Sequence, residues 1–188
     1  MKIVLLRHGR PQLLMRKKMT GAEFINWINQ YNSAPLDDCF PPPDDSVAIA
    51  EKCNASICST LRRSIESADK LNLSDRVLMS DDFIEAGLPC FNLFNVTFSA
   101  NVWLVIFRIS WFLGYSPNSE SYAHLKERAK RCSDQLMATA KEKESVIFVG
   151  HGILNRVIAK ELGRRGWLSD SKKSNDYWRF SVFKKPSI

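Results

Sequence analysis

Two of the three histidines in this 188-residue chain stand in the same local setting. His8 follows Ile3-Val4-Leu5-Leu6-Arg7 and precedes Gly9; His151 follows Val146-Ile147-Phe148-Val149-Gly150 and precedes Gly152. Near neutral pH an imidazole has a lone pair to attack with or a proton to give. One histidine after an apolar run is usually structural; two such placements in one chain point to a shared pocket. Arginines arrive in two places: Arg7 adjoins His8, and Arg62 and Arg63 close the stretch Ser59-Thr60-Leu61-Arg62-Arg63. A guanidinium stays charged, and its planar fork matches the oxygens of a phosphate. Asp81, Asp82 and Glu85 are the candidate proton donors. Several cations, one acid and two imidazoles are the parts of a phosphate site with a nucleophile and a general acid.

Such groups must be held by elements, and the hydrophobic pattern supplies them. Short buried strands are expected over 3–6, 55–58 and 146–149, a further short strand over 77–79, and an alternating aromatic one over 177–184. Helices are expected over 20–31, 47–53, 64–71, 119–143 and 152–162. Thr20 with Glu23 three residues on has the form of a capping box, and Phe24, Trp27, Ile28 and Tyr31 share one face. In the long charged helix, Leu125, Ala129, Cys132, Leu136 and Ala140 form one stripe, and His124 is a surface residue. Pro35, Pro41, Pro42 and Pro43 make 33–46 a loop. Strands alternating with helices imply an α/β fold, a three-layer α/β/α sandwich around a mostly parallel central sheet. Ligand crevices form at the carboxyl ends of such strands, where both His-Gly turns would meet. The helix opening at Gly152 would aim its free amides at the same anion.

The segment 88–118 stands apart as a cap or insertion within one domain spanning 1–188. Residues 102–113 are apolar except for Arg108 and Ser110. That run is too short to span a membrane, which takes roughly 20 residues. A helix apolar nearly all round is a core or cap element, a substrate-facing lid or a dimer contact, and the three stay open. Phe91, Phe94, Phe98, Trp103, Phe107 and Trp111 either pave a wall for an organic leaving group or belong to a core.

Leu6-Arg7-His8-Gly9, then Ser59-x-Leu61-x-Arg63-Ser64 with Ser67-Ala68, then Glu85, then Gly150-His151-Gly152 resemble the histidine phosphatase superfamily, which includes the cofactor-dependent phosphoglycerate mutases. The motifs occur in the family's order over nearly the whole chain. The resemblance implies a metal-independent phosphatase that needs no cofactor. His8 would take the phosphoryl group, and Arg7 and Arg63 would hold its oxygens. His151 would complete the phosphate pocket, and Glu85 would protonate the leaving oxygen and then help water attack the phosphohistidine. The family spacing selects Arg63 over Arg62. A departure follows the first motif: many members carry Thr or Ser there and an Asn further on, whereas Gly9 here precedes Arg10-Pro11-Gln12-Leu13-Leu14. Arg10 is the candidate to take up part of that contact. Mutase transfer and a catalytically silent phosphate-binding protein are the alternatives to hydrolysis.

Composition bounds the partners. A net charge of +7 favours anions, but Arg16-Lys17-Lys18 and Lys184-Lys185 are short and form no continuous basic face for nucleic acid. A small phosphorylated metabolite or a phosphoprotein is the expected substrate, and a homodimer is compatible with the apolar segment. Five cysteines without a CxxC pair read as reduced structural thiols rather than a zinc site or disulfide framework. The apolar start before Arg7 is too short for a signal peptide, so the expected location is the cytoplasm.

Overall fold

A computed structural model describes residues 1–13, 18–91, 96–169 and 176–186. The chain runs β1 (Lys2–Arg7), α1 (Gly21–Ser33), α2 (Asp44–Glu51), β2 (Ala55–Cys58), α3 (Arg62–Lys70), β3 (Val77–Met79), α4 (Ala100–Phe112), α5 (Tyr122–Lys143), β4 (Ser145–Gly150), α6 (Gly152–Arg164), β5 (Leu168–Ser169) and β6 (Phe180–Lys184). The sheet order is β3-β2-β4-β1-β6-β5. Neighbours from β3 to β1 are parallel, and β6 runs antiparallel to both β1 and β5. The mostly parallel α/β sheet of the sequence reading is therefore present, with an antiparallel edge.

Alternation along β1 divides the molecule into layers. Ile3 and Leu5 pack with Leu125, Ala129, Cys132, Leu136 and Ala140 of α5 and with Leu154, Ile158 and Leu162 of α6. Val4 and Leu6 face the other way, against Ala50 of α2 and Ala68 and Leu71 at α3. Each such side chain contributes roughly 1.5–3 kcal/mol when fully buried, so both faces anchor β1. The stripe read along α5 is the stripe that is buried, and His124 is exposed. A third cluster joins Phe24 and Trp27 of α1 to Ala100, Trp103 and Phe107 of α4.

Thr20 caps α1 in the expected reciprocal box with Glu23. Several boundaries differ from the sequence reading; α5 begins at Tyr122, three residues later than expected, after its Ser121 cap. The second helix begins at Asp44, three residues early, because Asp44 and Asp45 suit the positive first turn. Its neighbour α3 begins at Arg62 instead of 64. The last strand begins at Phe180 instead of 177, since Trp178 has φ 64 and turns the chain out of extended geometry. The two-residue strand β5 has no hydrophobic pattern to announce it. All five cysteines are free thiols, and no described helix is long and apolar enough to cross a membrane.

Candidate active site

The register of two strands brings the histidines together. Arg7 of β1 pairs with Gly150 of β4, so the residue after each strand end lies at the same level of the sheet. The His8 amide donates to Gly150 O at 2.9 Å, and the two rings lie 5.1 Å apart between centroids. Glycine is required beside His8 because a Cβ on Gly9 would collide with the Trp178 ring. Trp178 holds a left-handed conformation that costs on the order of 1–2 kcal/mol. Its indole Nε1 donates to Phe40 O at 2.9 Å and its amide to Arg7 O at 3.0 Å, which keeps the turn in place. The preceding residue, Tyr177, is thereby laid over the Arg7 guanidinium at 4.2 Å.

His8 is 2% exposed. Its Nδ1 lies 2.7 Å from Gly9 O, which can only accept, so the ring proton sits on Nδ1 and Nε2 presents a lone pair. Burial, then Arg63, then Arg7 hold its pKa well below the usual imidazole value, against the opposing pull of the Gly9 bond. His151 is fully buried, and its Nε2 lies 2.6 Å from Ser59 Oγ. The Leu61 amide donates to the same hydroxyl at 3.3 Å. With the hydroxyl donating its hydrogen to Nε2, the His151 proton is on Nδ1, which is buried with no hydrogen-bond partner. Burial, then His8 and the arginines, push the His151 pKa well down too. Both imidazoles are thus neutral at physiological pH, one offering a lone pair and the other a proton.

The serines of the sequence motif position rather than react. Ser64 Oγ donates to Val149 O at 2.5 Å and accepts from the Ser59 amide at 3.1 Å, tying the start of α3 to β4. Ser67 Oγ donates to Arg63 O at 2.5 Å and accepts from the Gly9 amide at 2.8 Å, tying α3 to the His8 turn. Arg63 is thereby held in the floor, 2% exposed, with Nη1 donating to Asn32 Oδ1 at 3.0 Å. Its Nε is buried with no hydrogen-bond partner. A buried cation with an unused donor, beside an imidazole with an unused donor, fits an anion. Tyr31 covers Arg63 at 5.0 Å, and its hydroxyl lies 3.4 Å from that of Tyr177. Burial, then Tyr177, push the Tyr31 pKa up, so the Tyr31 phenol remains neutral.

Glu85 reaches the same place from the loop after β3. Oε1 accepts from the amides of Ala86 at 2.8 Å and Leu154 at 3.0 Å, and Oε2 accepts from Ile153 at 3.1 Å. The Ile153 and Leu154 amides of α6 are therefore engaged by the protein's own carboxylate, so the expectation of open amides fails for those two groups. Sequence reasoning also missed Arg128 of α5. Its Nη1 donates to Asp82 O at 2.6 Å and Ile84 O at 2.8 Å, and its Nε and Nη2 grip Glu120 at 2.8 and 2.6 Å. This fork anchors the loop that carries Glu85. Asp81 and Asp82 are exposed, bonded to Thr60 and Arg131.

Above the floor opens a cleft of about 570 Å³, lined by Arg7, Arg10, Arg63, Glu85, Tyr31 and Tyr177 among others. Arg10 stands at its mouth, 45% exposed, 3.9 Å from Asp37 and stacked on Phe40. Arg62 points away and pairs with Glu66 at 2.6 Å. The aromatic wall open in the sequence resolves as core: Trp103, Phe107 and Trp111 are fully buried, and Phe91 and Phe98 pack against the third cluster. Phe94, like Leu14, Arg16 and Lys17, lies outside the described residues. Asn101, Leu104 and Arg108 are the residues that α4 turns to the cleft.

Residues 47–173 match the family model described as histidine phosphatase superfamily (branch 1). The chain belongs to the histidine phosphatase superfamily. Among solved structures, the Rv3214 open reading frame product of Mycobacterium tuberculosis is similar over 96% of this chain and 89% of its own, at 17% identity and a TM-score of 0.59. The mycobacterial glucosyl-3-phosphoglycerate phosphatase Rv2419c matches 86% of this chain and 78% of its own, at 19% identity and TM-score 0.56. The phosphoglycerate mutase of Bacillus anthracis str. Sterne matches 100% and 92%, at 15% identity and TM-score 0.57. These likenesses show a common fold among histidine phosphatases and phosphoglycerate mutases. No curated protein matches the sequence.

Proposed function

We propose that this histidine phosphatase superfamily member hydrolyses phosphate monoesters through a phosphohistidine formed on His8. The observation that carries the reading is the pairing of His8 Nε2, with a free lone pair, and buried donors on Arg63 and His151 that have no protein partner. Phosphoryl transfer needs an in-line nucleophile and neutralisation of the equatorial oxygens, and these groups supply both. Nε2 attacks phosphorus while the bond to the ester oxygen breaks. Arg7, Arg63 and His151 Nδ1–H hold the phosphoryl oxygens, and Glu85 in its acid form gives the leaving oxygen its proton. The Glu85 carboxylate then takes a proton from water as that water attacks the P–N bond, releasing orthophosphate and restoring His8. The cleft volume suits a small phosphorylated metabolite.

Hydrolysis of p-nitrophenyl phosphate in the presence of EDTA tests this reading. Native protein should turn over, and His8→Ala should lose on the order of 10³-fold or more. Equal rates in the two proteins would contradict it.

A further inference from the structure

The steps through His8, Glu85 and His151 use neither of the half-buried tyrosines that meet over the phosphate floor. Tyr31 lies in the last turn of α1, and Tyr177 stands before the left-handed Trp178. Each is fixed from its own side of the cleft. The Tyr31 ring stacks on Trp27 at 5.7 Å, and the Tyr177 backbone is held by the bonds of Trp178 to Phe40 and Arg7. The Tyr177 ring lies 4.2 Å from the Arg7 guanidinium and 5.6 Å from the His8 ring, and the Tyr31 ring lies 5.0 Å from the Arg63 guanidinium. An aromatic face offers a cation no lone pair, so it steadies each arginine without competing for the N–H groups that an anion needs, as a carboxylate would. The hydroxyls converge at 3.4 Å, longer than the ~2.7–2.8 Å of a good O–H···O bond. Among the described residues neither hydroxyl has another hydrogen-bond partner. Each phenol carries one hydrogen; the mutual contact uses one of the two, and the other is unassigned. Burial keeps the Tyr31 phenol neutral, and Arg63 and Arg7 are the cations that act on it, so a donor stands beside both guanidiniums of the floor.

We propose that the paired hydroxyls of Tyr31 and Tyr177 are a further hydrogen-bond donor to the phosphoryl group, on the Arg7 and Arg63 side of the pocket. The proposal rests on the phosphate-site reading above. His8, Arg7, Arg63 and His151 come from the strand ends and α3, whereas the phenols come from α1 and the turn before β6, so the anion is held from a second direction. A neutral donor suits that place: two guanidiniums already supply the charge, and a phenol adds direction without a further cation to repel them. Either hydroxyl can give its hydrogen to the anion when the other is absent, so the two are coupled, and a double-mutant cycle reads that coupling.

Binding tests this without requiring turnover. Inorganic phosphate and phenylphosphonate are titrated by calorimetry into native protein, Tyr31→Phe, Tyr177→Phe and the double variant. Phenylalanine keeps both rings over the arginines and removes only the hydroxyls. The double variant should lose about tenfold in affinity for each anion, as for one hydrogen bond to a charged group. Each single variant keeps one phenol and should lose no more than about threefold. Single losses as large as the double would show that the hydroxyl contact only steadies the rings. A double variant within about twofold of native would show that no phenol meets the anion. Either result would overturn the proposal. The native chain gives a second readout: phosphate should red-shift its tyrosine absorption, and an unchanged spectrum at saturation would overturn the proposal as well. Absence of binding of either anion by native protein would remove it together with the phosphate-site reading. Phenol-dependent binding with no hydrolysis of p-nitrophenyl phosphate would instead leave the donor standing and remove the phosphatase reading.

Discussion

The floor and the α4 wall of the one cleft are built on different principles. In the floor, His8, His151, Arg63, Ser59, Ser64 and Ser67 are all buried and cross-linked from β1, β2, α3 and β4. Charge and hydrogen bonding are fixed there in advance, as a transition state with spread negative charge demands. Across the cleft, Asn101, Leu104 and Arg108 project from a helix whose other sides are divided between core and solvent, with Val102, Val105, Ile109 and Phe112 exposed. On the proposed reading, the chemistry belongs to the buried layer, and α4 supplies a wall whose residues can change without disturbing the sheet.

The sharpest way to break this contrast is Arg128→Ala. Arg128 sits in neither the floor nor the wall, yet it holds the loop that brings Glu85 between them. Removing it leaves Glu120 and two carbonyls without their donor, at a cost on the order of 3 kcal/mol. Thermal melting should fall by about 10 °C in a domain of this length. Below that melting point kcat should drop while Kd for phenylphosphonate stays within about twofold, because the phosphate floor is anchored elsewhere. A drop in phosphonate affinity as large as the drop in kcat would show that floor and acid loop are one unit.

A smaller effect sharpens the floor itself. Both histidines have folded pKa values below the ordinary imidazole value, mainly through burial. The folded state therefore binds fewer protons than the unfolded chain as pH falls below about 6.5. Stability from these groups is fully present above that pH and is lost below it, by up to about 1.4 kcal/mol per pH unit for each histidine. Urea midpoints between pH 7 and 5.5 should decline, and His8→Gln should reduce the slope. An unchanged slope would mean that His8 is not held neutral by its surroundings.

The contrast also explains what was legible in the sequence. His8, Arg7, Arg63 and His151 could be read because each lies at a strand or helix end, where a short apolar run and a glycine announce the position. The capping box at Thr20 and the buried stripe of α5 are equally local, and both are present. Arg128 could not be read: its partners Asp82 and Ile84 are more than forty residues away, and only the packing of α5 against that loop unites them. Tyr177 was misassigned to a regular strand because a left-handed Trp178 leaves no trace in an alternating pattern. In α4 the apolar run hid which face met the core, so the aromatic residues drew attention and Arg108 did not. Glu85 was legible as a carboxyl near the pocket, but not as the cap of α6.

The central claim is that His8 carries the phosphoryl group. Native protein and His8→Ala would be mixed with ³²P-labelled ester, quenched rapidly in alkali, digested and mapped by peptide. An alkali-stable, acid-labile label on the peptide containing His8, absent from the variant, is the predicted result. Turnover by native protein with no such label at any quench time, or with label on another residue, would contradict it.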